Sequence, residues 1–356
     1  MSKTRIRQWI GQHDLAAFFA LAIGLSFALL FPALFLFRRD DTLGQILGLL
    51  LGRIGVYSPV LAGMLVAHID HPERDRAATP RRVLVFLAVW LVAAAVHTAS
   101  LHREAEPGTP LIALIILSLP VALLPAFVIA SAFSRSGGVR RLLSTLVRPR
   151  GSVVVYLIAL LTFPVIHIVG VSVTSFANGD RWLPRVTHLG DLVPMSLITF
   201  LSVLFFSGGI NEESGWRGFA QKRLQARFSP LVANLILWVM LVIWHIPNDI
   251  VQYRHGGYLL VRLALYPCIT ILFGWLYNRT QGSTMAPALA HASMNTMNPL
   301  VSLLPITPAG NGLLVGLTVV VIVADRMWRR LPGDHGAAHG GSDSREDPAL
   351  MAFSER

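Results

Sequence analysis

Residues 192–225 read LVPMSLITFLSVLFFSGGINEESGWRGFAQKRLQ. From Leu192 to Ile210 there is no charged side chain; then Glu212, Glu213 and Arg217 arrive together. An apolar run of this length is what a bilayer-crossing helix needs. Charge placed at its inner end is costly in lipid and is therefore a functional hypothesis. On a helix Glu213 and Arg217 stand at i, i+4 and can pair. Glu212 points about 100° away, so the two carboxylates need not share one task. Arg217 is placed to hold Glu213 ionised, which leaves Glu212 to act as a base. The other reading is a loop that starts at Asn211 and carries solvated charges. The two differ on whether the helix runs on past the glutamates to about Phe219.

The rest of the chain argues for lipid. Of 356 residues, 54% are hydrophobic and 14% charged, and mean hydropathy is +0.59. Soluble domains carry about 25% charged residues. Apolar spans fall at about 15–37, 46–68, 83–101, 110–133, 152–176, 192–219, 230–247, 258–278, 283–304 and 311–328. This predicts an all-α, polytopic transmembrane bundle of about ten spans, eight at the least. The first run is too long for the core of a cleavable signal peptide. Arg53 and Arg262 fall inside spans and must face protein or snorkel.

Net charge is +11, and among the basic residues only Lys3 and Lys222 are lysine. The arginine skew points to a GC-rich, bacterial source. The basic residues alternate with the spans. One side collects Lys3, Arg5 and Arg7, then Arg74 to Arg82, Arg135 to Arg150, Lys222 to Arg227, and Arg326 to Arg330. Arg38, Arg39, Arg103, Arg181, Arg185 and Arg254 are left for the other. The positive-inside rule then puts both termini in the cytoplasm, as for a protein of the bacterial inner membrane. It also accounts for the charge without nucleic acid. A single cysteine, Cys268, excludes a disulfide framework and a cysteine metal cage. Val139 to Arg150 reads either as a basic amphipathic helix at the headgroups or as an ordinary loop.

The expected organisation is a cytoplasmic segment 1–14, transmembrane helices over 15–189, a catalytic core over 190–305, a last helix over 306–330, and a polar, disordered tail over 331–356. His335 and His339 in that tail carry no metal argument.

Two more motifs lie in the core. Trp244-His245-Ile246-Pro247 closes the seventh span, and His291-Ala292-Ser293-Met294-Asn295 sits inside the ninth. A lone intramembrane His can be a structural hydrogen-bonding residue. The His291/Asn295 pair shares one helix face and can equally be interhelical glue. Depth decides whether they meet. At about 1.5 Å per residue, Glu212 lies roughly 15 Å from the cytoplasmic helix end, His245 roughly 22 Å, His291 roughly 12 Å and Asn295 roughly 18 Å. One slab near mid-membrane holds all four. Such a set suits hydrolysis, with Glu taking a proton from water and a His and an Asn donating to an oxyanion.

Glu212-Glu213-x-x-x-Arg217, the His on the following helix, and His291-x-x-x-Asn295 together resemble the CAAX protease and bacteriocin-processing family, the type II CAAX prenyl endopeptidase-like intramembrane proteases. The likeness covers about residues 190–305. It implies that Glu212 activates water, His245 positions it, His291 and Asn295 hold the oxyanion, and Glu213, Arg217 and Trp244 support. Leu241 departs from the family, which favours an aromatic four residues before the His; Trp238 or Trp244 are the candidates to fill that space. Glu212, His245 and His291 would suit a catalytic zinc ion. There is no HExxH pair, so metal dependence stays open. The implied partners are the bilayer and a membrane peptide or protein substrate: a bacteriocin precursor, a signal peptide or a membrane-bound regulator.

Other intramembrane proteases fit less well. No Gly-x-Ser-Gly loop is present, and Asp180 and Asp249 fall in loops on this topology. A transporter or channel lined by Arg53 and Arg262, and a non-catalytic immunity or scaffold protein of the same family, are the alternatives.

Overall fold

A computed structural model describes residues 3–72, 79–179, 189–252, 257–300 and 307–332. Arg74, Arg76, Asp180, Arg181, Arg185, Arg254 and the tail histidines lie outside them, as does the side chain of Arg262. The described chain is all-helical. In order come α1 (Lys3–Gln12), α2 (Asp14–Phe37), α3 (Thr42–Val56), α4 (Ser58–Asp70), α5 (Thr79–Glu104), α6 (Leu111–Val121), α7 (Leu123–Ala130) and α8 (Gly137–Val147). Then follow α9 (Val153–Asn178), α10 (Leu189–Phe206), α11 (Gly209–Glu213), a π-helical segment (Ser214–Gln221), α12 (Lys222–Gln225), α13 (Pro230–Gln252), α14 (Gly257–Arg279), α15 (Met285–Leu300) and α16 (Pro308–Ala324).

Six helical stretches are long and apolar enough to cross a membrane, and a seventh if α3 and α4, bent by 53° at Tyr57, form one span. The expected count of eight to ten is not reached among the described residues. The expected second span is the bent pair. Those at 258–278, 283–304 and 311–328 are helical as α14, α15 and α16, but none of these joins the set. Where the long helices stand, lipid is their solvent. Only 17% of the apolar window is buried in α5 and again in α9, and Leu84, Leu111, Val153 and Val319 point outward. The chain is an integral membrane protein.

Lipid gives apolar side chains little reason to leave it, so helices associate by close packing and polar bonds. Packing of Phe18, Tyr57, Trp216, Phe219, Leu237 and Trp244 makes the main core. Phe18 stacks on Phe219 at 4.9 Å and meets Trp216 edge-on at 5.5 Å. A second core joins Phe163 of α9, Phe273 of α14 and Ala290 of α15. Arg223, after the π segment, ion-pairs with Asp14 of α2 and reaches Asp70 of α4 at 3.5 Å.

Several expectations are corrected. The span at 192–219 is present as the helical stretch Val193–Gln225, interrupted where α10 stops at Phe206 and helix restarts at Gly209. Helix does run past Phe219, but as a π segment, a form often found at functional sites. Asn211, Glu212 and Glu213 are buried, so the solvated loop is excluded. Asp249 lies in α13 and not in a loop, because Pro247 is absorbed inside that helix. Of the two readings of 139–150, helix is the one found: α8 buries Val139, Leu142, Leu143 and Leu146 against the protein.

Candidate active site

The break in α10 creates the site. A helix end leaves carbonyls without intrahelical donors, and in lipid water cannot serve them. Here side chains do. Val203 O still accepts from a backbone donor, Ser207 N, at 3.1 Å, and side chains serve the carbonyls after it. The Tyr57 hydroxyl donates to Phe205 O. Arg53 Nη1 donates to Phe206 O at 3.4 Å, and Asn295 Nδ2 to Ser207 O at 3.2 Å. The restart is tied as well. Gly208 N donates to Asn211 Oδ1, and Asn211 Nδ2 to Val56 O, both at 2.9 Å.

Gly208 has φ +142° and ψ −43°, a backbone that side chains rarely allow. A Cβ built there would lie 2.5 Å from His291 Nε2 and 3.1 Å from Asn295 Nδ2. Two nitrogens of α15 thus converge on one point beside the turn. The i, i+4 spacing put them on one face, and the missing side chain lets the backbone approach it.

The other side of His291 meets the glutamates. Its Nδ1 lies 2.7 Å from Glu213 Oε1. A carboxylate only accepts, so Nδ1 carries the proton and Nε2 is the atom presented to the turn. Arg217 Nη1 lies 3.1 Å from Glu213 Oε2. The Glu213 side chain is 0% exposed and that of Arg217 2%. Arg217 and His291 both rest on the Phe273 ring, at 5.2 and 5.3 Å. Glu213 therefore bridges a cation and an imidazole over an aromatic floor. Glu212 is also buried, and its charge acts on both His291 and Arg217.

His245 comes from α13, with Nδ1 donating to Leu241 O at 2.8 Å. That bond leaves Nε2 as the nitrogen with a lone pair. Trp244 flanks its ring at 4.6 Å and Tyr266 of α14 at 5.8 Å. Trp244 is anchored by Nε1 donating to Ser58 Oγ at 2.9 Å and meets Trp216 of the π segment edge-on at 6.0 Å. Gly215 makes that burial possible, since a Cβ there would lie 2.5 Å from the Pro59 backbone.

The structure thus joins Glu213, Arg217 and His291 directly and adds Asn295 through the turn. Glu212 is the neighbour of Glu213 in the chain and is buried with it. His245 follows Trp244, whose ring meets Trp216 of the π segment. Sequence reasoning missed Tyr266, the ring beside His245 where Leu241 has none, and the part played by Arg53 and Tyr57. The signal for Arg53 was its charge inside an apolar span; Tyr57 and Tyr266 gave none. Among the described residues no three His, Cys, Asp or Glu side chains gather as metal ligands would.

The model described as type II CAAX prenyl endopeptidase Rce1-like matches residues 194–297. The chain is 26% identical over 148 residues to CAAX prenyl protease 2 of Methanococcus maripaludis. That match takes in 38% of this chain and 51% of the relative, so it spans about half the relative's length. The buried glutamate pair, His245 and the His291/Asn295 face all lie within residues 194–297, the part of the chain that is similar to the type II CAAX prenyl endopeptidase Rce1-like family.

Proposed function

We propose that the chain is an intramembrane endopeptidase that hydrolyses a peptide bond in or near the bilayer by glutamate-activated water. The observation that carries this reading is the convergence of His291 Nε2 and Asn295 Nδ2 on one point beside Gly208. Donors about 2.7–3.1 Å from a developing oxyanion are what acyl-group hydrolysis needs.

Glu212 takes a proton from water as the oxygen attacks the scissile carbonyl carbon. The lone pair on His245 Nε2 receives the water's other hydrogen and fixes its direction. The carbonyl π electrons move to oxygen, and the oxyanion is held by His291 Nε2–H and Asn295 Nδ2–H. Nδ1–H is spent on Glu213, so Nε2 can donate only when the ring is an imidazolium. Asn295 uses one amide hydrogen on Ser207 O and keeps the other for the oxyanion. When the intermediate collapses, the C–N bond breaks, and Glu212 returns its proton to the leaving amine. The distribution of arginines supports cytoplasmic termini, and a membrane-embedded site calls for a membrane-associated peptide as substrate.

The test is cleavage of a fluorogenic membrane peptide by purified protein in detergent, wild type against Glu212→Gln. Loss of a general base should lower kcat by about 10²–10⁴-fold with the fold intact. Equal activity in the two proteins refutes the assignment.

A further inference from the structure

We infer that Arg53 and Tyr57, on the bend between α3 and α4 and outside the family match, are positioning residues that set the oxyanion-binding turn from behind. The inference rests on the peptidase reading above. Arg53 is a cation in an apolar helix, and its placement has to be accounted for. It does not snorkel. Its guanidinium lies against the Phe206 ring, 5.8 Å from the centroid, and its Nη1 serves Phe206 O. Its Nε is buried with no hydrogen-bond partner. A desolvated cation held this way is costly, and an apolar residue of its size would pack there more cheaply. What it serves is the C-terminal end of α10, where backbone dipoles leave negative charge.

Tyr57 is fully buried and serves the adjacent carbonyl, Phe205 O. One residue earlier, Val56 O receives Asn211, which holds Gly208 N. A single turn of chain, 53–57, therefore grips both sides of the break: the carbonyls before it and the amide-holding Asn211 after it. Ser207 and Gly208 lie between those grips, and they carry the contacts to Asn295 and His291. Pro59, two residues on, abuts Gly215 in the π segment, so the bend also holds the helix that carries Glu213. The turn cannot shift without moving at least one of these bonds. In this reading neither Arg53 nor Tyr57 touches substrate; they act through Ser207 and Gly208.

The mild variant is Tyr57→Phe, which deletes one hydroxyl and keeps the ring. Arg53→Met removes the donor and charge at similar volume, and Arg53→Lys returns a cation. Kinetics are read beside wild type, and ¹⁵N signals of the His291 ring, assigned by their loss in His291→Asn, are read without turnover. A displacement near 1 Å at a reacting group costs about 10²-fold. Tyr57→Phe and Arg53→Met should therefore lower kcat by roughly 10- to 100-fold. KM should stay within about twofold, since uniform binding is untouched. Arg53→Lys should recover most of the loss, and the His291 signals should shift in Tyr57→Phe. Unchanged kcat and unchanged His291 signals in Tyr57→Phe overturn the inference. So does a fall in the unfolding midpoint with kcat and the His291 signals intact. Shifted signals in a wild type that cleaves nothing would sustain the clamp and sink the peptidase reading instead.

Discussion

Replacing Gly208 by Ala tests the site at its tightest point. The glycine has φ +142°, and a side chain held at such a φ costs about 1–3 kcal/mol. The added Cβ would sit 2.5 Å from His291 Nε2 and 2.7 Å from its Cδ2. Ordinary contact begins near 3.5 Å, so the imidazole must retreat by about 1 Å. It cannot do so alone. Nδ1 is bonded to Glu213, which is bonded to Arg217, and the ring rests on Phe273. Misplacement by about 1 Å predicts a fall in kcat near 10²-fold, equivalent to roughly 2.7 kcal/mol in the barrier. KM for a membrane peptide should change little. The assay is steady-state cleavage in detergent with thermal unfolding followed in parallel. Gly312→Ala in α16, where a Cβ meets nothing within 4 Å, is the control and should match wild type in both. A Gly208→Ala protein that folds and retains wild-type kcat would refute the reasoning, because it would mean that His291 and Asn295 do not have to stay where the turn holds them.

Arg217→Met leaves the Glu213 carboxylate buried beside a neutral side chain, with His291 its remaining partner. Breaking a buried pair this way costs about 3–5 kcal/mol, so the unfolding midpoint should drop by roughly 10 °C. An unmoved midpoint would show that Glu213 is not held as an anion by Arg217. Tyr266→Phe keeps the ring beside His245 and should leave kcat near wild type, while Tyr266→Leu should lower it. If the leucine variant is fully active, the ring plays no part in placing His245. Treatment with a tight zinc chelator is expected to leave cleavage unchanged, since no ligand trio gathers among the described residues. Chelator-sensitive activity restored by Zn²⁺ would show that such a trio assembles during turnover.

What could be read from the sequence is what depends on neighbours along the chain. The apolar runs could be read because a bilayer fixes their length. The Glu213–Arg217 pair could be read because i, i+4 residues meet on any helix, and it is found bonded. The His291/Asn295 face follows from the same spacing. The failures at the site involve partners distant in sequence. Glu213 was matched to Arg217 alone, yet it also holds His291, 78 residues away. Arg53 was expected to face protein or snorkel, but not that a broken helix would supply its acceptor. The sixth span was expected to continue past the glutamates to about Phe219, and it does; what could not be read was its interruption at Ser207–Gly208. Continuity satisfies every backbone group, which is why it is the default in lipid. A break is tolerable only if other helices bring donors to the exposed carbonyls, and spacing along one helix cannot show that. Yet an unbroken helix would keep its carbonyls and amides for itself and offer no turn close enough for α15 to approach. The interruption at Ser207–Gly208 lets Gly208 lie against His291 and Asn295, so the rule that governs the spans fails at the place where the proposed chemistry needs an exception.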